Sequence, residues 1–419
     1  MQHYSKQFGI IKQHLLTYFN QKTPGLSPHI RRTINEISYG VLDSGDVVFS
    51  NIARSLNEKN TLQKTIFRLS QNISKKDLTK TLNDKHLKDL KPFVEKKSII
   101  VIDDSDINKP RSKKQEGLCL IRDASTGEFG KGYNIIYSTL VSADRKQVKS
   151  LTTSLYSSSE KGFKSRNDER DKTLRRLKAE FGDNGVYVMD RGFSNIGVFR
   201  SFKKNHKYVV RLKSRNIIYK NKVFDMNEWA NRLSLESYMQ ISSIKKSGKQ
   251  INKNVAFTTR EIAFGGEVFN ATVLKLEDHK ACVLISNQDK NGMNDYEYGK
   301  MLIEQYGCRW SVEEKIRFEK TQFNYENIRL QKLTGLKNMM AIINLLSSFI
   351  SDIYWKDISS KIVEVARVLK KEVRFEYYRL AEGIKRIFNK RIRPPFKYKT
   401  TNSLGYFPRS YQLAFFEVF

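Results

Sequence analysis

Residues 98–104 read Ser98-Ile99-Ile100-Val101-Ile102-Asp103-Asp104, four consecutive β-branched side chains closed by two acids. A run this apolar and this short is a strand buried on both faces, as in a sheet covered by helices on each side. A second such run, Gly185-Val186-Tyr187-Val188-Met189-Asp190, also ends in an acid, followed by the turn Arg191-Gly192-Phe193. The two together predict an α/β fold. Acids at the carboxyl ends of buried strands stand where open α/β sheets place their functional sites. Taken singly, Asp104 could open the turn toward Pro110 and Asp190 could cap the next helix.

Other segments fill in the organisation. Residues 1–92 are polar, basic and helical in pattern, and form one predicted region. Within it, Val47–Leu56 and Thr61–Leu69 are two short amphipathic segments around the polar turn Asn57–Asn60, a helix-turn-helix-like unit suited to reading DNA. Strands are expected over 133–141, 147–156 and 207–213, with a charged helix over 167–181. Residues 214–280 read as short alternating strands with Gly265-Gly266 at a hairpin turn. One more buried strand follows at 281–286, and helices resume from about Asn294. Residues 93–213 and 281–356 then form a core in two parts, with 214–280 inserted. The last region, 357–419, contains an amphipathic helix over 361–389 and a basic, proline-broken tail from Lys390 to Lys399.

Charge narrows the partners. Lys and Arg number 76 against 44 Asp and Glu, a net charge of +32 spread along the chain, which points to a polyanion as partner. No apolar run is expected to span a membrane: the stretch from Met339 to Ile350 is interrupted by Asn344 and two serines and reads as a buried helix. The N-terminus lacks a signal-peptide pattern. Cys119, Cys282 and Cys308 are far apart and odd in number, which argues for a reducing compartment. Neither zinc-ligand spacing nor a phosphate-binding glycine loop is present.

The segment Tyr306-Gly-Cys-Arg309-Trp310-Ser-Val-Glu313-Glu-Lys-Ile-Arg-Phe-Glu-Lys320 joins these threads. On one continuous helix, Tyr306, Arg309, Glu313 and Lys320 fall within a sector of roughly 60°. A carboxylate, two cations and a phenol on one stripe suit a divalent metal and phosphate oxygens. A solvated helix with i,i+4 ion pairs is the plainer alternative. Three converging carboxylates repel one another unless a metal neutralises them, so Asp104, Asp190 and Glu313 together imply Mg²⁺ or Mn²⁺. Two such ions could activate a water or a 3′-hydroxyl.

On these residues the chain resembles DDE transposases of the insertion-sequence-four family, marked by Y-x2-R-x3-E-x6-K. All four signature positions match at Tyr306, Arg309, Glu313 and Lys320. Asp190-Arg191-Gly192 resembles the second acidic block. Ile102-Asp103-Asp104-Ser105 resembles the first, in an alignment that makes Asp104 the metal ligand.

The resemblance implies a ribonuclease-H-like core interrupted by a β-rich insertion, with helical N-terminal and C-terminal regions. It also implies metal-dependent cleavage of transposon ends and strand transfer into target DNA. Asp104, Asp190 and Glu313 would be the catalytic metal ligands. Tyr306, Arg309 and Lys320 would hold DNA phosphates, and Arg211, Lys213 and Arg215, just past a core strand, are further candidates for phosphate contact. Partners would be double-stranded DNA at the element's terminal inverted repeats and at the target, and a second copy of the chain. The free protein is expected to be monomeric and to dimerise on paired DNA ends. Ile362, Val365, Val368 and Leu369 form a candidate apolar stripe for that pairing. Trp310 is expected to pack inward. The expected location is the cytoplasm, with the nucleoid. A ribonuclease-H-like nuclease without strand transfer, or a DNA-binding relative without catalysis, remain alternatives; the complete triad argues against the last.

Overall fold

The computed structural model describes residues 2–123, 126–202, 205–244, 250–276, 279–366 and 375–389. The run of β-branched residues forms β1, Ile99–Asn108. It is followed by β2 (Cys119–Arg122), β3 (Phe129–Val141) and β4 (Val148–Tyr156). The second acid-ended run is β5, Val186–Met189, and β6 is Lys207–Arg211. Five strands fall in the inserted region: β7 (Asn216–Tyr219), β8 (Lys222–Asp225), β9 (Ser237–Ile244), β10 (Gln250–Phe264) and β11 (Glu267–Leu276). β12, Cys282–Ser286, returns to the core.

β1 lies between β3, antiparallel to it, and β5, parallel to it; β5 pairs in parallel with β6. β4 extends the other edge of β3. This β4-β3-β1-β5-β6 order, two antiparallel pairings and then two parallel ones, is the ribonuclease-H-like arrangement that the resemblance implies. The inserted strands are not a separate layer. β12 pairs with both β6 and β11, so the hydrogen-bonded sheet runs without a break from the core into the insertion.

Each face of the sheet carries its own apolar layer, which is why β1 and β5 show no alternation of apolar and polar residues. Ile99, Val101, Tyr137, Val186 and Val188 face one layer, together with the helices Trp310–Gln322 and Leu333–Tyr354. Ile100, Ile102, Ile136, Tyr187 and Met189 face the other, which holds Leu174, Leu177 and Phe181 of the helix Arg166–Phe181. The Leu333–Tyr354 helix is buried, as the sequence reading expects of Met339–Ile350. By length and composition it could cross a membrane, yet 89% of its most apolar window is buried inside the protein.

The N-terminal region is helical, as expected, but shares the core's apolar layer. Ile11, Leu15, Ile34, Leu69 and Ile73 belong to the same cluster as Met339, Leu346 and Phe349. Asn338, buried on the core helix, accepts from the backbone N–H of Leu78 (2.7 Å) and donates to the carbonyls of Ile73 and Lys76. The helix-turn-helix-like unit is present as Phe49–Leu56 and Leu62–Ser74. Asn57 ends the first helix in the left-handed region (φ 47°), and Thr61 caps the second.

The C-terminal region departs from the sequence reading. In place of one helix over 361–389, a short helix Ile358–Val365 ends at Ala366, whose extended ψ of 120° breaks it, and a second helix spans Tyr377–Asn389. Ile362 is fully buried against this second helix. Its carbonyl lies so close to Gly383 that a Cβ there would sit 2.2 Å from it. Ile362 therefore packs inside the chain and is not part of an open pairing stripe. Val368, Leu369 and the basic tail 390–399 lie outside the described residues.

Candidate active site

β1 and β5 run in parallel, with Ile102 opposite Met189, so the acids that follow emerge at the same end of the sheet. Which acids meet is decided by parity. Asp103 pairs with Tyr137 and shares its face; Asp104 pairs with Ile136 and points to the opposite face. Asp190, two residues after Val188, continues that residue's face, which is the face of Asp103. The structure thus sets Asp103, and not Asp104, beside Asp190. The alignment selects Asp104, which lies on the opposite face.

The helical segment from 295 to 322 closes the site from above. It is two helices, Asp295–Gly307 and Trp310–Gln322, with Cys308 and Arg309 at the join, so the expected single stripe is bent. Tyr306 sits in the last turn of the first helix, and its hydroxyl donates to Asp190 Oδ1 at 3.2 Å. Arg309, at the start of the second, donates through Nη1 to Asp103 Oδ2 at 2.7 Å and through Nη2 to Glu313 Oε1. Arg211, at the end of β6, lies within electrostatic reach of Tyr306 and Asp190. Three acids, two arginines and a phenol are linked at the carboxyl ends of three parallel strands. Trp310 packs inward against Phe375, as expected.

The electrostatics record crowding. Burial, with the nearby charges of Asp190 and Asp104, pushes the Asp103 carboxyl up to about 7, although Arg309 opposes the shift. Burial, reinforced by Asp190, raises the Tyr306 phenol far above its ordinary range, which keeps it a hydrogen-bond donor. Burial works against the Arg309 charge, but Asp103, Tyr306, Glu313 and Asp190 outweigh it and hold the guanidinium charged. Burial likewise opposes the charge of Arg211, and Cys282, Tyr306 and Asp190 overcome it.

The other expected site residues are placed differently. Asp104 lies across the sheet, where Arg170 of the Arg166–Phe181 helix donates to its Oδ2 through Nε (2.9 Å) and Nη2. Arg170 also donates to the Gly192 carbonyl at 2.6 Å and lies 4.8 Å from the Phe193 ring centre. It therefore ties β1 to the turn that follows Asp190. Lys320, at the far end of its helix, pairs with Glu326 at 2.8 Å. Lys213 is exposed. Arg215 donates to Ser194 and lies over the Phe264 ring at 4.7 Å. The sequence reading missed that Asp103 stands beside Asp190 and that Arg170 pairs with Asp104. With both faces of β1 buried, no alternation reveals which acid faces which side.

Among the described residues, no three His, Cys, Asp or Glu side chains are grouped as a metal site requires. Arg309 lies between Asp103 and Glu313 and supplies the positive charge there. The donors are nonetheless the oxygen-only set that suits Mg²⁺ or Mn²⁺, and the raised Asp103 pKa marks a place where added positive charge is favourable. By the chemistry of their donors, though not by their present spacing around Arg309, the residues fit such an ion.

In comparison with known proteins, residues 95–349, more than half of the chain, match the family model described as Transposase DDE domain. Among solved structures the chain is similar to the cryo-EM structure of piggyBac transposase in a synaptic complex with hairpin DNA. That match has 12% identity and a TM-score of 0.48, and it covers 92% of this chain and 80% of that one. None of the curated proteins matches the sequence.

Proposed function

The chain belongs to the transposase DDE-domain family, and on that premise we propose that it cuts the ends of a mobile DNA element and joins them to target DNA. The observation that carries this reading is the convergence of Asp103, Asp190 and Glu313 on one face, linked through Tyr306 and Arg309. The spacing Tyr306, Arg309, Glu313, Lys320 supports placement in the insertion-sequence-four group. Three of those four residues belong to the linked network.

Asp103, Asp190 and Glu313 would hold Mg²⁺ or Mn²⁺. Two such ions, when bound, activate a water or 3′-hydroxyl and stabilise the leaving oxygen. The chain's own groups orient the acids. Tyr306 holds Asp190 by donating to it, and Arg309 tethers Asp103 to Glu313 until substrate arrives. Arg211 and Arg309 are the nearest cations for the phosphate at the cleaved bond. Outside the site, the helix Leu62–Ser74 turns Gln63, Lys64, Phe67 and Gln71 to solvent and is the candidate reader of the element's ends. Two copies would pair on two ends, since both must be cut and joined at one target.

The test is incubation of the purified protein with Mg²⁺, a supercoiled plasmid and a duplex carrying the inverted repeats that flank its gene. Joined duplex–plasmid products are expected. Nicked ends without joined products would reduce the function to a nuclease. Specific binding without cleavage would make the chain a DNA-binding relative.

A further inference from the structure

We propose that the hairpin of β2 and β3 is a second DNA-contact arm, which meets the duplex about seven to eight base pairs from the phosphate held at the acidic site. The inference rests on the DNA-cleavage reading above and goes beyond the site that carries it. β1 ends at Asn108, opposite Gly132, and the N–H of Lys109 donates to the Lys131 carbonyl at 2.6 Å; residues 129 and 130 of β3 pair only with β2. The hairpin therefore projects past the body of the sheet as a two-stranded arm. On one of its faces, Leu120 stands opposite Lys131 and Arg122 opposite Phe129. All four are exposed, Leu120 at 68% and Phe129 at 73%. A two-stranded arm that leaves its two largest apolar side chains in water, each beside a cation, is built to be covered by something anionic with flat or apolar surface. Nucleic acid offers both.

The face is the informative part. Asp103 pairs with Tyr137, and Phe129 lies eight residues before Tyr137 on the same strand, with no irregularity of pairing between them. An even separation keeps both on one face of the sheet. The exposed quartet thus lies on the sheet face that carries Asp103, beyond Tyr133 and Ile135, which are buried beneath the layer that holds Phe318, Tyr325 and Ile328. At about 3.3 Å per residue, eight residues span roughly 26 Å. At about 3.4 Å per base pair, that is some seven to eight base pairs of duplex. The approach to the arm is basic as well: Arg111, Lys113 and Lys114 are exposed on the loop leading to β2. Glu116, Glu128 and Asp123 only partly offset this charge, and Asp123 already accepts from Asn108 at 2.8 Å.

A photoreactive benzoylphenylalanine in place of Phe129 tests the placement, in the full chain bound to end DNA. Cross-links are expected six to nine base pairs from the cleaved phosphate. Cross-links confined to the first three base pairs, or to a second protein chain, would overturn the proposal. The paired variant Arg122→Ser/Lys131→Ser should lower the log–log salt slope of binding by up to about 1.8, at about 0.9 per lost phosphate contact. Phe129→Ser should weaken binding to a 20-base-pair end at least fivefold with no change of slope. On a duplex trimmed to five base pairs either side of the cut, all three variants should bind like the unmodified chain. Equal effects on long and trimmed duplexes would sink the arm while leaving the acidic site standing. Loss of cleavage by Glu313→Gln with normal cross-linking separates failure of the one from failure of the other.

Discussion

Replacing Arg170 by Met keeps a long side chain in place and removes the guanidinium. In the structure this group makes two hydrogen bonds to Asp104 and one each to Asn167 (3.0 Å) and the Gly192 carbonyl (2.6 Å). The Arg170 side chain is 9% exposed and that of Asp104 is 25% exposed. The other carboxylate oxygen of Asp104 is buried and already lacks a partner. Removing the arginine strands a largely buried charge, which in such pairs costs about 3–5 kcal/mol. Asp104→Asn in the same chain should recover part of that loss, because a neutral amide no longer needs the cation. The double-mutant coupling should fall at about 1–3 kcal/mol. Urea unfolding of the four proteins of the cycle, read by tryptophan fluorescence, gives the numbers. A single-mutant cost under about 1 kcal/mol, the range of exposed pairs, or strictly additive losses would refute the reasoning that Arg170 clamps β1 to the turn after Asp190.

Two further outcomes follow from buried charges. His86 is fully buried and donates through Nε2 to the Ser150 carbonyl at 2.8 Å; burial, then the charge of Lys22, holds its pKa well below the ordinary 6.5. The unfolded chain therefore binds more protons below pH 6.5, and stability falls as pH drops through that value, by up to about 1.4 kcal/mol per pH unit. His86→Gln should flatten the fall between pH 6.5 and 5, and an unchanged slope in urea midpoints would count against this origin. The Lys315–Glu319 pair is buried at 3.2 Å, with Lys315 also donating to Thr153. Lys315→Met should cost about 3–5 kcal/mol and Lys315→Met/Glu319→Gln distinctly less; equal losses in thermal or urea melts would show that the charge of Glu319 is not the problem.

Much of the architecture is legible in the sequence because buried strands and helix periods leave strong local marks. The runs ending at Asp103-Asp104 and at Asp190 do form neighbouring parallel strands, and the spacing from Tyr306 to Glu313 does bring those residues to one place. What was illegible depends on long-range packing. A strand buried on both faces gives no alternation, so the face of Asp103 against that of Asp104 is set by pairing with β3 and not by local pattern. Arg170 looks like one charge among many on a polar helix until the fold lays it under β1. The N-terminal helices read as a region of their own, but Asn338 and the shared apolar layer bind them to the core helix, which no feature of residues 1–92 announces. The helix expected over 361–389 is broken because Ile362 and Gly383 come into direct contact, a tertiary demand that outweighs local helical pattern.

The central claim is that Asp103, with Asp190 and Glu313, forms the acidic site, while Asp104 serves the fold from the opposite face. Cleavage of end DNA by Asp103→Asn and by Asp104→Asn, with Mg²⁺ and at a temperature where both variants remain folded, tests it most directly. The account predicts that Asp103→Asn binds the DNA and cuts nothing detectable, while Asp104→Asn still cuts despite lower stability. A dead Asp104→Asn beside an active Asp103→Asn, both folded and both bound to DNA, would contradict it.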